Sequence, residues 1–124
     1  MSASLHRSLQ VLSPIVDEYI EWYGSLLRAL YYFEEPPQTT LTFKVGDILD
    51  SWIERVRGED LLDTEALNKL SHVHTELRKS SSAMFSKTQK AQEKPSVQEF
   101  DHLSDVYERL INLLRRLEKD SVLE

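Results

Sequence analysis

Apolar residues recur along the chain at intervals of three and four, the spacing of a helix that buries one face. The first long run is Ile15, Val16, Tyr19, Ile20, Tyr23, Leu26, Leu27, Leu30 and Tyr31. It opens at Ser13-Pro14, a cap residue followed by proline at the first helical position. It closes at Glu34-Glu35-Pro36-Pro37, a proline pair that no helix interior accepts. Leu5, Leu9 and Leu12 form a shorter amphipathic segment ahead of it, either the same helix kinked at Pro14 or a separate turn. Val45, Ile48, Trp52, Ile53 and Val56 predict a second helix, with Gly58 at its C-terminal cap. Thr64 is placed to cap a third, which carries Leu67, Leu70, Val73 or His74, Leu77 and Met84. Its later part, Ser80-Ser81-Ser82 and Lys87-Thr88-Gln89-Lys90, is polar enough to predict fraying or a solvent-facing position.

The fourth helix carries the clearest pattern. Ser96-Val97-Gln98-Glu99 is a capping box, and Pro95 forbids helix just before it. Phe100, Leu103, Tyr107, Leu110, Leu114 and Leu117 then form a heptad seam, the pattern of helices that wrap one another. Val106 and Leu113 widen the stripe, enough to serve both a core and a partner helix. The expected fold is all-α: an antiparallel four-helix bundle, one domain over residues 1–124. Its C-terminal helix, from about residue 97 to 124, is expected to continue into a coiled-coil linker. Trp52 reads as core, and Trp22 as either core or an interface anchor. The last pair, Leu123-Glu124, reads as native sequence or the remnant of a tag.

Composition narrows the function classes. Three glycines and four prolines in 124 residues are too few for a many-stranded sandwich. A net charge of −6 opposes sequence-independent nucleic-acid binding and docking on anionic lipid. No cysteine is present, so disulfides and thiolate metal sites are excluded. The N-terminus lacks the pattern of a signal peptide, and no apolar run reaches membrane-spanning length, so a cytoplasmic location is expected.

Candidate chemistry is sparse. Of the four histidines, His72 stands one turn before Glu76, which suits two ligands of one ion. His74 stands one turn before Arg78, and arginine cannot be a ligand. No phosphate-binding glycine loop or G-x-S-x-G motif is present. The carboxylates Asp17, Glu18 and Glu21, like Asp47 and Asp50, read as the wet sides of helices, and no catalytic residue is expected.

The order of these features resembles the N-terminal input domains of bacterial diguanylate cyclases, especially the chemoreceptor zinc-binding (CZB-type) four-helix sensors. The segments that carry the likeness are Tyr19-Ile20-Glu21-Trp22, Asp47-Ile48-Leu49-Asp50-Ser51-Trp52, Leu70-Ser71-His72-Val73-His74-Thr75-Glu76-Leu77, and the end of the fourth helix from Leu110 to Asp120. In that family a histidine precedes the first-helix tryptophan by three residues, where this chain has Tyr19. A Cys-x-x-Gly-x-Trp motif on the second helix becomes Asp47, Asp50 and Trp52. The third helix of the family offers His-x-x-x-His. An ungapped match places His74 and Arg78 on that pair, and a shift of two residues places His72 and Glu76 there.

The resemblance implies a non-catalytic sensory domain that controls cyclic di-GMP synthesis by a downstream GGDEF domain of the same chain, through a parallel coiled linker. Zinc is the ion it implies, with Asp47, His72, His74 and Glu76 as the candidate ligands. Homodimerisation through the fourth helix follows from the seam, with a regulatory protein as a further partner. The competing readings are a stand-alone helical adaptor that docks a partner helix, and a metal-dependent sensor. A small enzyme using bundle carboxylates is a third, less supported by the residues.

Overall fold

The break between the first two helices falls at Val11, three residues before the proline that was expected to mark it. The computed structural model describes residues 3–122, so Met1, Ser2 and the pair Leu123-Glu124 lie outside the described residues. Helix α1 spans Ala3–Gln10 and α2 spans Leu12–Tyr32. Pro14 therefore sits inside the first turn of α2, where a missing N–H leaves no intrahelical bond unmade. Phe33 ends α2 in a left-handed conformation (φ 55°) and donates its amide to the Arg28 carbonyl. The proline pair then leads into a single turn, α3 (Gln38–Leu41), which has no counterpart in the periodicity.

Helix α4 (Lys44–Gly58) buries Val45, Leu49, Trp52, Ile53 and Val56. Leu49 takes the central place expected of Ile48, which is only half-buried. Gly58 is the last helical residue rather than the cap. The left-handed position is Asp60 (φ 52°). Its amide donates to the Arg57 carbonyl at 3.2 Å and that of Leu61 to the Val56 carbonyl at 3.1 Å, the paired bonds of a Schellman ending.

Helix α5 runs unbroken from Thr64 to Ala91, with Asp63 rather than Thr64 at the cap position. The polar second half does not fray. Leu77, Ser81, Met84 and Thr88 are buried at steps of four, three and four, and α5 packs along α6. Ser81 is accommodated because its hydroxyl donates to the Leu77 carbonyl at 2.7 Å. Helix α6 (Val97–Val122) opens on the expected capping box. The Ser96 amide donates to Glu99 Oε1 at 3.0 Å, and the Glu99 amide to Ser96 Oγ at 3.1 Å.

The four long helices pack in the cyclic order α2, α4, α5, α6, and α1 lies against α2, α4 and α6. The heptad seam of α6 fills the core of this same chain. Leu103, Leu110 and Leu114 are buried with Val106 and Ile111, while Phe100, Tyr107 and Leu117 are half-buried. The outward face of α6 carries Asp101, Asp105, Glu108, Arg109, Asn112, Arg115 and Arg116. Tyr107 stacks on Tyr23 at 3.8 Å between ring centres, joining α6 to α2. Both tryptophans are core residues: Trp22 is buried on α2, and Trp52 donates its indole N–H to the Ser8 carbonyl of α1 at 2.9 Å. Among the described residues no helix is long and apolar enough to cross a membrane.

Candidate functional site

The most unusual residue of the core is His74, 1% exposed in the middle of α5. A buried imidazole needs both ring nitrogens satisfied. Its Nδ1 lies 2.8 Å from Asp50 Oδ1 of α4. A carboxylate only accepts, so Nδ1 carries the proton, and the neutral ring's Nε2 accepts the hydroxyl of Tyr19 from α2. One turn along α5, Arg78 donates from Nη2 to the second oxygen of Asp50 at 2.7 Å and to Asp47 Oδ1 at 3.4 Å. Two one-turn spacings thus face each other: Asp47 and Asp50 on α4, His74 and Arg78 on α5.

Aromatic rings close the network from the other side. Tyr19 meets Trp22, Phe43 and His74 edge-on, with ring centres 5.6, 6.1 and 5.9 Å apart. The Arg78 guanidinium lies over the Phe43 ring at 4.7 Å from its centre, a cation–π contact. Phe43 occupies this place because its backbone is left-handed (φ 53°) and because Gly46, one turn into α4, leaves room for the ring. A Cβ at Gly46 would stand 2.3 Å from Phe43 Cε2. Gly46→Ala, which inside a helix ordinarily stabilises, is therefore expected to destabilise by about 1–2 kcal/mol, measured by urea unfolding.

Burial, the largest influence, holds the His74 pKa below its ordinary value of 6.5, and the Arg78 charge adds to this. The charge and hydrogen bond of Asp50 and the charge of Asp47 pull the other way without overcoming it. The Tyr19 hydroxyl is pushed far above its ordinary value of 10.0, first by burial and then by the Asp50 charge. A buried phenol held protonated is a donor and not a nucleophile. The arrangement can bind or exclude a proton and can exchange hydrogen-bond partners at its half-exposed rim, Asp50 and Arg78.

The sequence candidates separate in space. Asp47 and His74 belong to this network. His72 and Glu76 stand elsewhere on α5, with the His72 side chain 81% exposed and its Nε2 4.0 Å from Glu76 Oε2. Glu76 turns its other oxygen to His102 of α6 at 3.6 Å. The network residues do not fit a zinc ion. Both nitrogens of His74 are bonded to Asp50 and Tyr19, the facing cation is a guanidinium without a lone pair, and no thiolate exists in the chain. Among the described residues no three His, Cys, Asp or Glu side chains form a group that could hold a metal ion. Phe43 had no signal in the periodicity, since it lies in the junction between the one-turn α3 and the start of α4.

No family model, curated protein or solved structure matches the chain. Fold and site define an all-helical protein built around a neutral histidine, clamped between a buried tyrosine and an arginine-paired aspartate.

Proposed function

We propose that the chain is the cytoplasmic input and dimerisation domain of a diguanylate cyclase, an antiparallel four-helix bundle whose last helix continues as a coiled coil to a GGDEF domain. The single observation that carries this reading is a convergence. Tyr19, Asp47, His74 and Arg78, which the resemblance matches to the zinc site of CZB-type sensors, lie in one network with Tyr19 and His74 buried at its centre. The ungapped match selects this set, and the shifted match to His72 and Glu76 does not. In this reading Arg78 supplies the positive charge where the resembling domains hold their ion, and the signal is read through packing rather than metal. Helix α5 carries both His74 and the long contact with α6, so a shift of the network reaches α6 directly. The seam between Leu103 and Leu114 belongs to the core, so the homodimer in this reading forms from the half-buried Leu117 onward.

The test joins residues 1–124 to a GGDEF domain through α6 and measures cyclic di-GMP formation. His74→Gln and Arg78→Gln are expected to change output by about fivefold or more, the ordinary scale of coupling between sites. Equal output from the parent, both folded variants and a fusion lacking the bundle would sink the proposal. A second reading, the helical adaptor, draws on the exposed Tyr32, Phe33 and Leu41 beside the end of α2. Light scattering separates the two: a monomer favours the adaptor.

A further inference from the structure

We infer that the cavity beside the histidine network binds a small, neutral, planar aromatic compound bearing a hydrogen-bond acceptor such as an amide or ketone oxygen. The cavity measures about 350 Å³, within the range of small-molecule sites. Trp22, Phe43 and Phe85 line it with Leu26, surfaces suited to a flat apolar body. Arg78 is the one charged residue among its lining residues. Both carboxylate bonds of Arg78 leave from Nη2. Its Nε and Nη1 therefore keep N–H donors without a partner among the described residues.

Charge selects among acceptors. Asp47 and Asp50 together outweigh the one guanidinium, so an anion entering beside Arg78 meets two carboxylates behind it. A cation meets the guanidinium itself. A neutral acceptor takes the free donors and meets neither repulsion. The position of Phe43 is built rather than incidental, since it requires a left-handed backbone and the missing side chain of Gly46. Strain of that kind concentrates at ligand clamps. The site stands on these observations alone, whether or not the bundle governs an output domain.

The test titrates ¹⁵N-labelled protein with benzamide, benzoate and benzylamine, reading the indole N–H signals of Trp22 and Trp52 by NMR. Benzamide is expected to shift Trp22 saturably with a Kd on the order of millimolar, ordinary for so small a probe. Trp52, bonded to α1 away from the cavity, is expected to stay in place. Ser82→Phe fills the cavity from an exposed position of α5 and should abolish the Trp22 shift while leaving the helical circular dichroism and the Trp52 signal unchanged. The inference is overturned by the absence of a saturable Trp22 shift, by a shift that survives Ser82→Phe, or by benzoate or benzylamine binding as tightly as benzamide.

Discussion

Trp52→Ala is expected to lower the free energy of unfolding by about 3–5 kcal/mol, as truncation of a buried tryptophan does where the site cannot collapse. Two losses combine. The indole is 2% exposed, and its removal opens a void among helices whose neighbouring side chains are already in contact. Its N–H also satisfies the Ser8 carbonyl, one of the last four of α1, which has no partner within its own helix. The bond is a polar tie between α1 and α4, so the truncation should loosen α1 in particular. Trp52→Phe keeps much of the volume but loses the bond, and should cost about 1–3 kcal/mol. Urea unfolding followed by circular dichroism measures both, and hydrogen exchange should report α1 opening first. A loss below about 1 kcal/mol for the alanine variant would mean that α1 is not held through this residue.

Acid is expected to weaken the fold through His74. The folded pKa lies below the ordinary 6.5, so as pH falls the unfolded ring takes its proton before the buried one does. The stability owed to the neutral ring is complete above about pH 6.5 and declines as pH drops toward the folded value. Within that window the slope approaches about 1.4 kcal/mol per pH unit. Protonation would also put a second cation beside Arg78 and force Nε2 to become a donor facing the Tyr19 hydroxyl. Unfolding measured at pH 7.5 and pH 5.5 should therefore show a loss that is absent in His74→Gln, which cannot titrate. Equal losses in the two proteins would assign the acid sensitivity to other groups.

The long helices were legible because each buries a stripe with helical spacing, and the start of α6 because a capping box is a local chemical device that tertiary contacts do not alter. The ends of α4 and the one-turn α3 were not. Asp60 rather than Gly58 takes the left-handed residue because the Schellman bonds fix the turn two residues beyond the glycine. Four residues are too few to show a period, so α3 was silent. The polar half of α5 misled for a different reason: Ser81 and Thr88 look solvated by composition but lie on the buried face of the helix, where a serine can return its hydroxyl to its own backbone. In the site, His74 and Asp47 stood among the candidates as ligands of an ion. Arg78 was set aside because its charge is permanent, and that same property lets it balance Asp47 and Asp50. A spacing identifies residues that share a face, but whether they hold a metal or each other depends on what the opposing helix presents.

The positive charge at this site is attached by a side chain to α5. A bound ion equilibrates with its supply, so its occupancy rises and falls with the surrounding solution. A tethered guanidinium has no such equilibrium: chelators cannot withdraw it, scarcity cannot empty the position, and a competing ion cannot exchange with it. What alters the pairing is instead a turn of the half-exposed Arg78 or Asp50 side chain, a movement of α5 against α4, or a proton gained between them.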